Sequence, residues 1–271
     1  MSITTASDSI IYRERQFGAV NWIGLWTLYA KEVRRFLKVY VQTLLAPMVT
    51  NLLYLAVFLV AVTSRGGAAS AGFSQFLAPG LIMMSMTQNA FANTSSSVTI
   101  AKTQGSIVDV LMPPLSAAEV TLALTLGGAT RGIAVGIAVS LATLPIVSLQ
   151  VHDWGLVLFH AVAGSLMLST IGVIGGLWSE KFDHIAAVTN FVVMPLTFLS
   201  GTFYSIERLP DPVQALARLD PFFYMIDGFR TGFIGHGDAS TTLGIVVLVV
   251  LNLALLALCW RLFAIGYKVK S

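Results

Sequence analysis

Charged side chains are scarce in this 271-residue sequence, in which Asp, Glu, Lys and Arg together make up 11% of the residues. A soluble domain carries roughly a quarter. Hydrophobic residues make up 56%, which excludes both an ordinary soluble enzyme and a disordered protein. The sequence has one cysteine, Cys259, and therefore no internal disulfide and no cysteine-based metal or redox site.

Common catalytic and nucleotide-binding motifs are also missing from the sequence. No glycine is followed by lysine, which excludes a GxxxxGK[ST] phosphate loop, and neither HExxH nor GxSxG occurs. The four histidines are too scattered to predict a metal cluster. We therefore expect this chain to have no enzyme activity, no metal and no cofactor of its own.

Six apolar segments predict an all-α polytopic membrane protein that forms a single domain over residues 1–271. A transmembrane helix needs about 20 apolar residues at 1.5 Å each. The third segment, at about 46 Å, must be tilted, broken or extended beyond the bilayer. The segments lie at 43–62, 76–100, 117–147, 155–178, 185–200 and 241–263, with a glycine-rich turn at 64–72 between the first two.

The distribution of lysine and arginine predicts the orientation of the chain. If the amino terminus is cytoplasmic, eleven of the 16 Lys and Arg residues fall in inner segments and four in outer segments, with Arg131 inside a span. Because positive residues favour the cytoplasmic side, we expect both termini to be cytoplasmic. The same bias explains the net charge of +3 better than nucleic-acid binding does.

An amphipathic helix is predicted at 22–40, in front of the first span. Aromatic residues recur there at steps of three and four, and basic residues fall largely between them. Such a helix lies in the membrane interface, where tryptophan is favoured; a solvated surface helix is the alternative. The residues that define its two faces are Trp22, Trp26, Lys31, Arg34 and Arg35.

The loop at 104–112, between the second and third spans, predicts a short cytoplasmic helix. A serine three residues before an aspartate resembles a capping box, and two prolines then stop the helix. Its apolar residues suit the docking of a partner protein, whereas the alternative is a hairpin loop packed against the membrane surface. The residues concerned are Ser106, Ile107, Asp109, Val110 and Leu111.

The segment at 202–235, after the fifth span, is too apolar for a solvent loop and too broken for a span. A glycine can end the preceding helix, and prolines divide the segment into short amphipathic pieces. Short helices that dip back into the outer leaflet fit this pattern. The residues that carry it are Pro195, Ser200, Gly201, Pro210, Pro221 and Arg230.

Several polar residues lie inside the predicted spans. Gln88, Asn89 and Asn93 must face the bundle interior or a cavity, where they either bind substrate or hold helices together. A hairpin centred near residue 109 places Arg131 opposite residue 87, beside the amides of Gln88 and Asn89. In the alternative, the third span starts later and Arg131 extends to the cytoplasmic interface.

Glycines at every fourth position predict close contacts of the third and fourth spans with other helices of the chain. A contact between two copies of the chain is the alternative for one of these glycines. They are Gly128, Gly132 and Gly136 in the third span and Gly172 and Gly176 in the fourth.

Several motifs resemble those of one membrane protein family. The region 195–230 contains Pro-Leu-x-Phe-Leu-Ser-Gly-x-Phe-Tyr, then Leu-Pro, Asp-Pro-x-x-Tyr and Phe-Arg. This pattern looks like the signature of the ABC-2 type transporter permease family, in its YadH-like branch, which is related to nodulation-factor and polysaccharide exporter permeases. The segments 31–36, 78–84, 109–114 and 182–183 resemble further motifs, so the likeness covers essentially the whole chain. Asp109 and Asp220 depart from the Glu and Asn of many members.

The resemblance implies the permease half of an exporter in the bacterial inner membrane, surrounded by membrane lipids. Two copies of the chain would assemble with two ATPase subunits, which would supply the site for ATP and Mg. By the same resemblance, 22–40 is a connecting helix, 104–112 a coupling helix that docks on the ATPase, and 202–235 a pair of outer re-entrant helices. Spans one, two and five would line the dimer axis and the route of an amphipathic, lipid-linked or hydrophobic cargo.

Two other classes of function are compatible with the composition. An ion-coupled secondary transporter often shows an internal repeat and an ion site near the midplane, but the sequence shows no clear repeat and no acidic residue near the middle of a span. A membrane scaffold that transports nothing is the other alternative.

Overall fold

The computed structural model describes residues 18, 20–63 and 70–268, and every regular element within these ranges is helical. The predicted all-α class is therefore confirmed. The predicted turn at 64–72 and both chain termini fall wholly or partly outside the described residues. The helices are α1 (Trp22–Leu37), α2 (Ala46–Thr63), α3 (Ser70–Thr103), α4 (Val108–Leu111), α5 (Ala117–Thr143), α6 (Trp154–Trp178), α7 (Phe182–Val188), α8 (Met194–Leu199), α9 (Asp211–Leu219), α10 (Pro221–Ile234) and α11 (Thr241–Ala264).

Two π-helical turns and one 3-10 turn complete the description. The turn Val41–Leu45 leads into α2, Thr189–Val193 joins α7 to α8, and Ile206–Arg208 precedes α9. The helix predicted to end at 147 ends instead at Thr143, because Pro145 has no backbone N–H with which to continue the helical hydrogen bonds.

Five helical stretches of the described chain are long and apolar enough to cross a membrane. α3 coincides with the second predicted span but is not among the five, because its side chains are too polar on average. Its 34 residues extend about 51 Å. The five stretches are Val41–Val62, Ala117–Thr143, Trp154–Trp178, Phe182–Leu199 and Thr241–Ala264.

α3 lies at the centre of the bundle, where it packs mainly against α5, α6 and α10. Its buried residues include polar ones, since Asn93 and Thr99 are fully buried. Thr94 Oγ1 donates to the Ser169 carbonyl at 2.7 Å and Thr99 Oγ1 lies 2.8 Å from Ser179 Oγ, which ties α3 to α6. The neighbouring helices thus supply the partners that lipid cannot offer.

Glycines let the neighbouring helices approach α3 closely. A Cβ atom added to Gly132 would lie 2.7 Å from the Met86 carbonyl oxygen, and one added to Gly172 would lie 2.6 Å from that of Phe91. At Gly176 it would lie 2.7 Å from the Val98 Cβ. The predicted glycine pattern therefore packs within the chain, against α3.

α1 lies along the first half of α5. Its N-cap residue, Asn21, accepts a hydrogen bond from Gly24 N at 2.9 Å, and the Asn21 backbone N–H donates to Glu119 Oε1 at 2.5 Å. Farther along, a Cβ atom on Gly127 would lie 2.6 Å from the Glu32 Cβ. The two helices are thus in contact from Asn21 to Glu32.

Gly132→Ala tests the packing of α5 on α3. The added methyl group meets backbone, which cannot rotate away, so we expect the free energy of unfolding to fall by about 1–3 kcal/mol. Gly175→Ala is the matched control, because its Cβ would come no closer than 3.7 Å to any atom. The midpoint of thermal unfolding in detergent measures both variants, and equal midpoints would contradict the packing described.

Candidate functional site

The candidate site is a cluster of polar side chains where α1, α3 and α5 meet. α1 buries Leu28, Glu32 and Phe36, which lie four residues apart along one stripe of the helix. Trp22 and Trp26 are 71% and 64% exposed on one side of this stripe. The exposed basic residues Lys31 and Arg34 lie on the opposite side, and Arg35 borders the stripe.

Glu32 is the only acidic residue of α1 and is 1% exposed. Its carboxylate accepts a hydrogen bond from Ser97 Oγ at 2.8 Å and lies 3.2 Å from Arg35 Nη2. A buried charge is stable only when it is paired and hydrogen-bonded. Sequence reasoning missed Glu32, although its position four residues after Leu28 and four before Phe36 placed it on the buried stripe.

Two arginines converge on Asn93, near the middle of α3. Arg35 Nη2 donates to the Asn93 carbonyl oxygen at 2.6 Å and to Asn93 Oδ1 at 2.9 Å. From α5, Arg131 donates to Asn89 Oδ1 at 3.2 Å and to Asn93 Oδ1 at 3.5 Å. The cluster therefore joins α1 to the hairpin of α3 and α5.

The partner of Arg131 differs slightly from the predicted one. α3 ends at Thr103 and α5 begins at Ala117, so the hairpin is centred at residue 110 rather than 109. This change moves the residue opposite Arg131 from 87 to 89. Asn89 consequently bonds to Arg131, whereas Gln88 does not, and the Gln88 Nε2 atom is buried without a partner.

One face of α3 next to this cluster is open. Gln88, Asn89 and Ser96 are partly exposed, and Ala92 between them is exposed. These positions are three to four residues apart and so lie on one side of the helix. The arginine cluster therefore borders a polar surface that none of the described residues covers.

The loop between α3 and α5, which was predicted to be cytoplasmic, differs from its predicted structure. Its helix is only Val108–Leu111, its N-cap is Ile107, and no side chain caps it. The predicted capping box of Ser106 and Asp109 is therefore wrong, since Asp109 N bonds to the backbone oxygen of Ser106 instead. The physical reason is that Ser106 lies inside the turn rather than at the start of the helix.

A complete capping box forms instead at the start of α5. Ser116 Oγ accepts from Glu119 N at 3.3 Å, and Ser116 N donates to Glu119 Oε2 at 2.6 Å. The sequence contains the Ser-x-x-Glu signal for this box.

The exposed apolar face of the loop also differs from the prediction. Ile107 and Val110 were expected to face a partner, but each is 8% exposed and packs against the same chain, including Leu28 of α1 and Leu124 of α5. The apolar residues that do face outward are Val108 at 51%, Leu111 at 41% and Met112 at 77% exposed. A four-residue helix has too few turns to expose all its apolar residues together.

The carboxyl-terminal ends of α3 and α6 are joined by a lysine that sequence reasoning also missed. Lys102 Nζ donates to the carbonyl oxygens of Leu177 at 2.5 Å and Ser179 at 2.7 Å. Burial lowers the pKa of Lys102, and nearby Lys268 lowers it further. Lys268 itself pairs with Glu180 at 2.9 Å, which lowers the pKa of that carboxyl.

Near the predicted outer end of the bundle, the proline and glycine residues divide the chain as expected. Pro195 lies in the first turn of α8, and Gly201 follows that helix with a φ of +77°, a conformation that favours glycine. Pro210 precedes α9 and Pro221 begins α10. Asp220 caps α10 by accepting from Phe222 N at 2.9 Å, and Ser200 Oγ donates to its carboxylate at 2.7 Å.

Arg230 of α10 closes this outer segment. Its side chain is buried, with Nη2 donating to the Gly201 carbonyl oxygen at 2.7 Å and Nε donating to that of Phe76 at 3.1 Å. The guanidinium lies 3.7 Å from the centre of the Phe76 ring. A Cβ atom on Gly80 would lie 2.9 Å from Nη2, so this glycine makes room for the arginine.

Glu32→Gln tests the electrostatic role of the buried carboxylate. The amide leaves Arg35 without a counter-charge. We therefore expect the free energy of unfolding to fall by about 1–2 kcal/mol, which is reduced from the value for a fully buried pair because Arg35 is 31% exposed. Glu207→Gln, at an exposed carboxylate, is the control. Thermal unfolding midpoints measure both, and an unchanged midpoint for Glu32→Gln would refute the role.

Comparison with known proteins identifies the kind of molecule to which this site belongs. The ABC-2 type transporter family matches residues 24–234. The chain is 40% identical over 252 residues to the inner membrane transport permease YadH of Escherichia coli, covering 92% of this chain and 98% of that protein.

Two more distant relatives extend this likeness. The chain is 22% identical to nodulation protein J of Neorhizobium galegae, over 83% of this chain and 86% of that protein. It is 27% identical to the capsule polysaccharide export inner-membrane protein CtrC of Neisseria meningitidis, over 93% of this chain and 91% of that protein. The chain therefore belongs to the ABC-2 type transporter family, as a transmembrane permease subunit of an ABC exporter.

Proposed function

We propose that two copies of this chain form the membrane-embedded part of an exporter in the bacterial inner membrane, with two copies of a separate ATPase on the cytoplasmic side. The ATPase binds ATP and Mg, because this chain has no phosphate loop. The observation that carries the proposal is the exposed apolar surface of Val108, Leu111 and Met112 on the inner loop of an ABC-2 permease.

These three side chains support docking of the ATPase at the loop, in the role of a coupling helix. Exposed apolar side chains concentrated on one short loop indicate a protein contact. Ile107 and Val110 anchor the same loop to α1 and α5, so a force on the loop is transmitted to both helices.

In this proposal α3 is a sixth transmembrane helix, shielded from lipid by α5, α6 and α10. Both termini are cytoplasmic, as the Lys and Arg distribution favours. α1 contacts the membrane interface through Trp22 and Trp26, and α9 and α10 form the outer re-entrant pair. The exposed Leu216 and Leu219 of α9 support contact with the outer leaflet.

The dimer axis and the transport route are placed along α2, α3 and the α7–α8 stretch. α2 and α7–α8 have few side chains buried by their own chain. Within α7–α8, Asn190 is exposed beside Phe191, which is 81% exposed, in a π-helical turn. Since lipid offers an amide no hydrogen-bond partner, Asn190 is expected to face the second copy or the route.

The cargo proposed is an amphipathic, lipid-linked or hydrophobic molecule. One relative, CtrC, is a capsule polysaccharide export protein. In this chain, a cavity of about 1070 Å³ near the proposed outer side combines aromatic residues, including Phe58, Phe76 and Phe203, with polar ones such as Gln150. A surface of this mixed character suits a molecule with both apolar and polar parts.

Leu111→Glu with Met112→Glu tests the docking of the ATPase. Both residues are exposed, so the permease should remain folded. A charge placed in the contact should detach the ATPase, because each apolar side chain buried there contributes about 1.5–3 kcal/mol to its binding. Co-purification of the ATPase measures the effect. Leu216→Glu with Leu219→Glu, on the proposed outer side, is the control and should retain it. ATPase retained equally by both double variants would contradict the docking site.

Disulfide crosslinking tests the dimer. After Cys259→Ser removes the buried native thiol, Phe191→Cys should form a covalent dimer under mild oxidation, because the proposed axis brings this position near its copy. Leu253→Cys, 63% exposed on α11, should remain monomeric. Crosslinking at position 253 alone, or a purified complex with one copy of this chain, would show that the axis is misplaced.

A further inference from the structure

Two arginine side chains in the cluster lie unusually close together. Arg35 Nη2 and Arg131 Nη1 contact the same oxygen atom, Asn93 Oδ1, at 2.9 and 3.5 Å. The two nitrogen atoms therefore cannot be more than 6.4 Å apart. Like charges at this separation repel each other.

Among the residues that the structure describes, the cluster has two positive charges and one negative charge. Glu32 pairs with Arg35, but Arg131 has no carboxylate partner among the residues that the structure describes. A second copy of the chain offers no obvious replacement, because the sequences of α2 and α3 contain neither Asp nor Glu. In α7–α8, the only acidic residue is Asp183 in the first turn.

The cluster also has buried donor atoms to spare. The nitrogen atoms Arg35 Nε, Arg131 Nε and Asn93 Nδ2 are buried and have no hydrogen-bond partner. All three are N–H donors, and Asn93 is 0% exposed. Within the cluster, the buried acceptor without a hydrogen bond is Glu32 Oε2, which lies 3.2 Å from Arg35 Nη2. Buried polar atoms normally have partners, so a surplus of donors indicates a ligand that accepts hydrogen bonds.

A ligand can reach these donors from the open face of α3. Asn89 and Ser96 are partly exposed, and the Arg35 side chain is 31% exposed. A ligand can thus approach along the polar surface that the proposed route follows. This surface is bordered by apolar helices, which suits a ligand with an apolar tail.

We propose that Arg35, Arg131 and Asn93 form a binding site for a phosphate group carried by an amphipathic molecule. A phosphate supplies the missing negative charge and several acceptor oxygens, and the planar guanidinium fork matches its geometry. The inference rests on the proposed function, to which it adds the chemical class of the molecule at the route. A phosphate on the cargo and one on a membrane lipid present the same chemistry to the site.

Binding of dodecyl phosphate to the purified full-length chain in dodecyl maltoside tests the site. The measurement is the thermal unfolding midpoint as the mole fraction of dodecyl phosphate rises, with dodecanol as the uncharged comparison. We expect dodecyl phosphate to raise the midpoint and dodecanol to leave it unchanged. In Arg131→Gln the apparent affinity for dodecyl phosphate should be weaker by about tenfold or more, since a charge-assisted hydrogen bond is lost. No response in the native protein, or equal affinity in Arg131→Gln, overturns the proposal.

Arg34→Gln is the matched control, because Arg34 is an exposed arginine beside Arg35 on the same helix. It should leave the affinity for dodecyl phosphate unchanged. If Arg34→Gln weakens binding as much as Arg131→Gln does, the effect is general surface attraction and the site is refuted.

If Arg131→Gln fails to fold, Asn93→Asp provides a second test of the phosphate site. The new carboxylate lies where both guanidinium groups already converge, so it should raise the unfolding midpoint without ligand and abolish the response to dodecyl phosphate. The Asn93 Nδ2 atom has no partner to lose. An Asn93→Asp protein that binds dodecyl phosphate with native affinity contradicts the site.

Two further probes separate the sources of the phosphate. Phosphatidylglycerol replaces dodecyl phosphate in one titration series, and inorganic phosphate replaces it in a second series. A response that depends on Arg131 with both phosphatidylglycerol and dodecyl phosphate assigns the site to a phosphate of the kind that membrane lipids carry, and one with dodecyl phosphate but not phosphatidylglycerol assigns it to single-chain cargo. Equal affinity for inorganic phosphate overturns the requirement for an amphipathic carrier. The ATPase and crosslinking experiments above use no phosphate ligand, so the proposed function can fail or hold independently of this site.

Discussion

The burial of a polar helix governs this structure. α3 carries many amide and hydroxyl side chains, and buried polar groups need hydrogen-bond partners within the protein. α5, α6 and α10 therefore surround it, and Gly132, Gly172 and Gly176 bring two of those helices close enough to make the contact. The shielding is incomplete on one side of α3, and that side is where the candidate site lies.

The same constraint acts on buried arginines, with two different results. Arg230 donates to backbone carbonyl oxygens and packs on Phe76, so its position is satisfied by its own chain and closes the outer segment. Arg35 and Arg131 share one amide oxygen and retain unpaired N–H groups. A satisfied arginine stabilises the fold, whereas a cluster with surplus donors and charge is suited to a ligand.

α1 connects this cluster to the inner loop. Leu28 packs with Ile107 and Val110, while Asn21 Nδ2 donates to the Pro114 carbonyl oxygen at 3.2 Å. On the same helix, Glu32 bonds to Ser97 of α3. Movement of the loop therefore displaces α1 as well as α5, and α1 carries Arg35. This continuous packing gives a physical path between the proposed ATPase contact and the polar face of α3.

The sequence by itself determined the helical class, the approximate limits of the helices and the breaks at Gly201, Pro210 and Pro221, because apolar run length and backbone restriction are local properties. It also indicated the neighbourhood of Arg131 through hairpin register. Only the tertiary structure decided that Ile107 and Val110 are buried, that Glu32 neutralises Arg35, and that Asn93 receives two arginines. These features depend on which helices meet and at what register, and a shift of one residue in a loop is enough to change the partner.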